Sequence, residues 1–158
     1  MARLIWAVLC EKVLQDKDSN LLSMINVVEK ITIHGLESDI AAVPKPPEKI
    51  LAGPIALSLV MWWEREDNDD SQVRIAIRAP KGEVVDRQVL RVDLNKSKTF
   101  RVIVRYEALA VGFGAGEYRF EIQTSREPEG SDDKWTALAV IPLELVFDPG
   151  PKPVSSST

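Results

Sequence analysis

The sequence predicts an all-β fold, an antiparallel two-sheet sandwich of about eight strands. Apolar residues alternate with polar ones over short runs, turn-forming residues separate these runs, and no helical periodicity extends over a useful length. The length of 158 residues suits one domain. We therefore predict a β-sandwich domain over residues 1–148 and a disordered tail over 149–158, where PGPKPVSSST offers nothing to bury.

The predicted strands follow one another along the whole domain. They cover residues 3–14, 21–33, 55–63, 73–78, 84–94, 100–107, 116–122 and 135–147. Pro80, Lys81 and Gly82 predict a tight hairpin turn, because proline and glycine favour the dihedral angles of turns. Pro142 lies inside the last run, and proline cannot donate a ladder hydrogen bond, which predicts an edge position or a bulge there.

The longest connection spans residues 35–54 and contains four prolines. A short helical turn over 36–42 is expected within it. The strand that follows carries two adjacent tryptophans, which must point to opposite faces. Trp63 continues the inward series, so Trp62 is expected on an outer face, either stacked under a strand arginine, covered by the proline-rich connection, or exposed as an interface anchor.

Composition limits the classes of function. The formal charge is −4, which gives no general attraction to nucleic acid. Cys10 is the single cysteine, so an internal disulfide is impossible and a reducing, cytoplasmic compartment is expected. The apolar run over 4–10 is too short for a convincing export signal, and no apolar stretch is long enough to span a membrane, so we expect no membrane association.

The sequence contains no convincing catalytic set, and we expect no enzymatic activity. His34 is the only histidine, which excludes multi-histidine metal sites. A dyad of Cys10 and His34 is conceivable, but Cys10 lies in a strand that reads as buried, where thiols are usually inert. The glycine-rich stretch over 112–116 has no lysine or following helix to hold a phosphate and is interpreted as a turn.

Arginines concentrate on predicted outward strand positions. They are Arg74, Arg78, Arg87, Arg91, Arg101, Arg105 and Arg119. The guanidinium fork suits carboxylates, phosphates and aromatic faces, so one hypothesis is a sheet face that binds a protein partner or a second copy of the chain. The alternative is cross-strand pairing with acidic residues on a solvated face. The candidate partner-binding residues are Trp62, Arg74, Arg78, Arg101, Arg105 and Arg119.

Acidic residues concentrate in the connections. If every predicted strand reverses direction, the connections 15–20, 64–71, 93–98 and 126–134 lie at one end of the sandwich, and together they are more negative than the whole chain. Calcium prefers several oxygen ligands drawn from such loops. The second hypothesis is therefore a calcium-dependent membrane or ligand-binding sandwich, and the alternative is a merely solvated acidic end. Its metal ligands are Asp67, Asp69, Asp70, Asp132 and Asp133, assisted by Asp16 and Asp18.

The opening segment resembles a family of small, uncharacterised bacterial β-sandwich proteins. The matching stretches are AVLCE at 7–11, NLLS at 20–23 and INVVEKI at 25–31, with weaker support from APKGEVV and GEYRFEI. The resemblance covers about the first fifth of the chain. It implies a sandwich of immunoglobulin-like or calcium- and lipid-binding type, and it carries no catalytic residues. Tyr118, which enters a strand after glycine, is similar to the tyrosine corner of immunoglobulin-like domains.

Overall fold

Strands dominate the computed structural model, which describes residues 2–65, 72–90, 98–125 and 132–151, with the side chain of Asp133 left out. The first sheet contains β1 (Ala2–Gln15), β2 (Leu22–Val27), β5 (Leu57–Arg65) and β8 (Thr99–Tyr106). Its strand order is β2-β1-β5-β8, and every neighbouring pair is antiparallel. The chain is therefore all-β in class, as the alternation of apolar residues predicts.

The second sheet is built from five strands, and a third pairing is very short. The five are β3 (Lys30–His34), β6 (Gln72–Arg78), β7 (Val84–Leu90), β10 (Gly116–Ser125) and β11 (Thr136–Asp148), in the order β3-β11-β10-β6-β7. Two-residue strands, β4 (Leu51–Ala52) and β9 (Leu109–Ala110), pair with each other. The described residues also form helix α1 (Glu37–Ala41), within the predicted helical turn, and 3-10 turns at Pro47–Lys49 and Asp132–Lys134.

The described residues contain eleven strands rather than about eight, and the main correction concerns the predicted strand at 21–33. This run is two strands in different sheets. Asn26 adopts a positive φ of 54° near the end of β2, and after Val28 and Glu29 the chain continues as β3 in the second sheet. β3 runs parallel to β11, so the prediction of a wholly antiparallel fold is wrong at this pair. The sequence at 21–33 contains no glycine and its apolar residues continue throughout, so nothing in it indicates the change of sheet.

Side chains of both large sheets contribute to one hydrophobic core. The inward position predicted for Trp63 is confirmed, and Ile75 of β6 and Phe120 of β10 are buried with it, each at most 1% exposed. Burying each such side chain contributes roughly 1.5–3 kcal/mol. Two ring contacts organise this core. Trp63 stacks on Phe100 within the first sheet, with centroids 6.1 Å apart, and Tyr106 of β8 meets the edge of Phe120 in the second sheet at 5.4 Å.

Predicted turns and breaks of pairing agree with the structure in two places. The hairpin between β6 and β7 closes through bonds from Ala79 N to Glu83 O and from Gly82 N to Ala79 O, and Gly82 takes a φ of 97° that favours glycine. Pro142 lies where β11 loses a neighbour, since β3 pairs with β11 only from Glu144 onward. Residues 136–143 of β11 therefore form an edge within the described part of the chain, as proline predicts.

Other expectations lie partly outside the described residues. The predicted strand at 84–94 is observed to Leu90, and the predicted disordered tail is described only through Pro151. Among the helices in the described ranges, none has the length and apolar character needed to cross a membrane.

Candidate functional site

The predicted partner-binding residues are divided between the two large sheets. Arg74 and Arg78 lie on β6 and Arg119 on β10, all in the second sheet. Trp62 on β5 and the pair Arg101 and Arg105 on β8 belong to the first sheet. The six residues therefore do not form one surface.

The exposed arginines of the second sheet are already engaged by carboxylates of the same chain. Arg78 Nε donates to Glu121 Oε1 at 2.8 Å, and Arg119 Nε lies 3.3 Å from Glu117 Oε1. Glu121 also accepts a bond from Gln123 Nε2 at 2.9 Å. The pair of Arg78 and Glu121 matches the alternative of cross-strand pairing, whereas Arg119 pairs with Glu117 of its own strand.

Arg74 departs from its predicted exposed position, because its side chain is only 8% exposed. It lies on the outer side of β6, but residues that precede β11 cover it. Its Nε donates to Gln123 Oε1 at 2.7 Å, its Nη1 donates to Asp132 Oδ1 at 2.7 Å, and its guanidinium carbon lies 4.4 Å from the ring centroid of Trp135. An arginine held on three sides in this way is a structural anchor rather than a group open to a partner.

Asp132 joins two strands of the second sheet to the start of β11. Its Oδ2 accepts from Arg87 Nη2 at 2.7 Å, and its Oδ1 accepts from Arg87 Nη1 at 3.2 Å as well as from Arg74. The hydrogen bond from Arg74, followed by the bonds and charge of Arg87, lowers the pKa of this carboxyl. Both oxygens of this predicted calcium ligand thus already accept from guanidinium groups.

The remaining predicted metal ligands lie outside what the structure describes. These are Asp67, Asp69 and Asp70, together with the side chain of Asp133. Across the described ranges, no three His, Cys, Asp or Glu side chains are arranged to hold a metal ion.

The hairpin at 15–20, one part of the predicted acidic end, folds back along the first sheet. Ala2 pairs with Arg65, so the C-terminal ends of β1 and β5 lie at opposite ends of this sheet, yet Asn20 beyond β1 contacts Arg101. The connections that follow Arg65 and Leu90 lie outside the described residues. Within the hairpin, Asp16 accepts bonds from Ser19 N and Asp18 N, and these bonds lower its pKa.

Trp62 is half-buried on the outer face of the first sheet, as its position in β5 predicts. Its direct partners in the ladder are Trp6 on β1 and Arg101 on β8. The guanidinium carbon of Arg101 lies 4.9 Å from the Trp62 ring centroid, and the Trp6 ring centroid lies 5.8 Å away at an interplanar angle of 56°. The predicted stacking of Trp62 under a strand arginine is therefore observed, and the proline-rich connection is not what meets it.

The hairpin that joins β1 to β2 contacts the surface around Trp62 and Arg101. Arg101 Nη1 donates to the backbone oxygen of Asn20 at 2.9 Å, so the hairpin tip is tied to the edge strand β8. The tip and the strands enclose a cleft of about 410 Å³. Its lining includes Gln15, Asn20, Leu22, Trp62, Arg101 and Ile103. Beside it, Val60 and Cys10 are fully buried although their register places them on the outer face.

Three basic side chains on this face have no carboxylate partner within the part of the chain that the structure describes. Arg105 is exposed, Arg101 is partly exposed, and across the described residues neither has a carboxylate within 4.0 Å. Lys12, which is exposed on β1, likewise has no acidic partner in the described ranges. The single acidic residue at an outer position of these four strands, Glu64, pairs with Arg3. Arg101 and Arg105 thus differ from Arg78 and Arg119 of the second sheet, which contact carboxylates of the chain.

Residues considered for catalysis are not brought together. Cys10 is buried in the first sheet, where burial raises the pKa of its thiol, and the side chain of His34 is 82% exposed on β3 of the second sheet. In the glycine-rich stretch the backbone N–H of Ala115 donates to Glu37 Oε1, so a carboxylate already occupies it. The hydroxyl of Tyr118 donates to Gly114 O at 3.1 Å, which explains this stretch as a turn fastened by a tyrosine.

Three residues that contribute to these two surfaces were not predicted from the sequence. Trp6 and Asn20 complete the Trp62 surface, and Trp135 covers Arg74. A signal for Trp6 exists in the alternation of Trp6, Val8 and Cys10 on β1, which gives one face an apolar row. No local signal marks Asn20 or Trp135, since their roles depend on which strands become neighbours.

No family model matches this chain, and no curated protein is significantly similar to it.

Proposed function

We propose that the chain is a non-enzymatic protein-interaction module whose binding surface is the outer face of the first sheet around Trp62 and Arg101. The single observation that carries this proposal is the packing of Arg101 over the Trp62 ring, with the tilted Trp6 ring on its other side, next to a cleft of about 410 Å³. Tryptophan and arginine are the residue types most enriched among the energetic anchors of protein interfaces. The partner is a different protein or a second copy of the chain.

The surface is supported by what surrounds it. The ladder fixes Trp62 between two strands, and the bond from Arg101 to Asn20 holds the guanidinium over the ring, so little side-chain freedom remains to be lost on binding. Buried residues such as Val60 give the ring a rigid base. A pre-organised aromatic group with a cation above it and a cleft beside it suits recognition better than a mobile side chain.

We further infer that the four- and five-stranded sheets pack face to face as a two-sheet, immunoglobulin-like sandwich. The contact of Tyr106 with Phe120 between the sheets and their shared core support this packing. The bond from Tyr118 to Gly114, four residues upstream, supports the likeness to a tyrosine corner. Buried, unpaired Cys10 agrees with a cytoplasmic location. The outer faces of such a sandwich are the natural places for partners.

Affinity capture from the source cells tests the proposed surface. The bait is the full chain, compared with Trp62→Ala and with Trp135→Ala, an aromatic truncation on the outer side of the second sheet. Thermal denaturation verifies that each bait is folded, and sedimentation of the purified chain at several concentrations detects self-association. We expect Trp62→Ala, but not Trp135→Ala, to lose the specific partner or the self-association. Equal recovery by all three folded baits, with no change in oligomeric state, contradicts the proposal.

A further inference from the structure

We propose that the partner presents an extended acidic segment to this face, with two carboxylates four residues apart and an apolar residue midway between them. This inference rests on the proposed function and adds the chemistry of the partner. It follows from three features of the first sheet: the cations of Arg101 and Arg105, which have no carboxylate partner among the described residues, their spacing along β8, and the partly exposed apolar residue between them.

The charge of the face is the first feature. Outer positions of β1, β2, β5 and β8 carry cationic Arg3, Lys12, Arg101 and Arg105 against one carboxylate, Glu64, which Arg3 already holds. The whole chain has a charge of −4, so this basic face stands out from an acidic protein. A basic face steers acidic partners and disfavours basic ones. The net charge of −4 opposes any polyanion, and the face offers two arginines on β8 rather than a continuous basic groove for a phosphate backbone, so a short protein segment is favoured over an oligonucleotide.

The spacing of the cations is the second feature. Arg101 and Arg105 are four residues apart on the same side of β8, and a strand rises roughly 3.3 Å per residue, which places their backbones roughly 13 Å apart. Successive residues of an extended peptide are spaced by the same rise. Carboxylates at positions i and i+4 of such a peptide therefore reach both guanidinium groups at once, and each guanidinium fork accommodates a carboxylate in two parallel bonds.

The apolar residue between the two arginines is the third feature. Ile103 pairs with Val60 and is partly exposed, whereas Val60 is already fully buried. A residue at position i+2 of the peptide meets Ile103, which lines the same cleft as Trp62. An apolar side chain there removes water from Ile103, whereas a charged one is left desolvated. The resulting pattern is acidic-x-apolar-x-acidic.

A labelled peptide tests the pattern directly. Fluorescence anisotropy measures binding of fluorescein-Ser-Glu-Ser-Leu-Ser-Glu-Ser to the full chain, with a Gln-for-Glu peptide, a Lys-for-Glu peptide and a labelled oligothymidylate as comparisons. We expect the Glu peptide alone to bind, and its affinity to fall with added salt, because exposed charge pairs are screened. No saturable binding at concentrations up to about 1 mM, the weak limit of specific recognition, overturns the proposal. Equal binding of the Gln peptide, or tighter binding of the oligothymidylate, overturns it too.

Matched variants locate the site. The double variant Arg101→Gln/Arg105→Gln should bind the Glu peptide at least about tenfold more weakly. This corresponds to the loss of roughly 1.4 kcal/mol of binding free energy expected for charge-assisted contacts. The control Arg119→Gln removes an arginine of the second sheet and should leave the affinity unchanged. An unchanged affinity in the double variant contradicts the proposal.

The outcome separates this inference from the proposed function. If capture of the partner depends on Trp62 but the double arginine variant still recovers it, the acidic segment is wrong and the surface stands. If neither substitution alters capture, both are wrong.

Discussion

Arg74 and Asp132 are joined by a 2.7 Å bond from Nη1 to Oδ1, and this bond fastens the turn before β11 to the outer side of β6. It relates two residues 58 positions apart that were first considered for different functions, one for a partner and one for calcium. Because the two residues bond each other, neither is open to the partner or the ion first considered for it. The search for a binding face therefore moves to the first sheet, where Arg101 and Arg105 have no carboxylate partner among the described residues.

Replacement of Arg74 should destabilise the fold. Arg74→Ala removes a buried side chain, leaves Gln123 Oε1 without its donor and leaves Asp132 with Arg87 alone, so we expect the free energy of unfolding to fall by about 3 kcal/mol. Urea denaturation followed by tryptophan fluorescence measures this change. The control Arg105→Ala truncates an exposed arginine and should alter stability by less than about 0.5 kcal/mol. Similar losses in the two variants would contradict an anchoring role for Arg74.

The lowered pKa of Asp132 predicts a specific acid dependence. Its folded-state pKa lies below that of the unfolded chain, which is about 3.9, so its stabilising effect is present above about pH 4 and is lost as pH falls through the folded value. We expect the stability difference between wild type and Asp132→Asn to be largest near neutral pH and to shrink in acid. Denaturation midpoints measured across this pH range test it, and a difference that stays constant into strong acid would disprove the linkage.

The two tyrosines should resist ionisation at alkaline pH. Burial, with smaller contributions from Glu83 and Glu37, raises the pKa of Tyr118 to about 12, and burial also raises that of Tyr106, whose hydroxyl has no hydrogen-bond partner within the described ranges. Unfolded tyrosine ionises near pH 10, so keeping these groups neutral stabilises the fold below that pH, and the effect is lost as pH rises further.

Tyrosinate absorbance near 295 nm measures this property without a label, since Tyr106 and Tyr118 are the only tyrosines in the chain. The native protein should show almost no tyrosinate near pH 10.5, whereas the urea-unfolded chain should be largely ionised there. Tyr118→Phe reports Tyr106 alone. A native titration that overlays the unfolded one would show that neither phenol is sheltered.

Calcium should have no effect through Asp132. Both oxygens of Asp132 accept from guanidinium groups, and the positive charges of Arg74 and Arg87 repel a cation. We expect calorimetric titration with calcium at millimolar concentration to release no heat and the melting temperature to stay the same in calcium and in chelator. A saturable heat that Asp132→Asn abolishes would restore the calcium hypothesis and would require this cluster to open.

Local patterns predicted those parts of the fold that depend on neighbouring residues in sequence. The alternation of apolar and polar residues predicted the strand at 73–78, and Pro142 predicted an edge, because both signals act over one or two residues. The opposite orientations of Trp62 and Trp63 followed from strand geometry alone.

Other features required knowledge of which strands become neighbours. An arginine at an outward position reads as exposed, and the burial of Arg74 depends on Trp135 and Asp132, which arrive from a distant part of the chain. The change of sheet after Val28 looks like one continuous strand, because apolar residues continue on both sides of it. The same ambiguity concealed that Arg101 and Arg74 belong to different sheets, and hence that only the former contributes to the candidate site.

Pro142 has a further consequence for the behaviour of the protein at high concentration. β11 is lined by β3 only from Glu144 onward, and the preceding part displays exposed Leu138 and Val140. An exposed apolar edge strand of this kind is a site where other chains add as strands and form fibrils. Because an imino acid supplies no N–H, Pro142 interrupts the row of donors that a growing fibril needs. A residue that looks like a defect in a strand thus acts as a gatekeeper against aggregation.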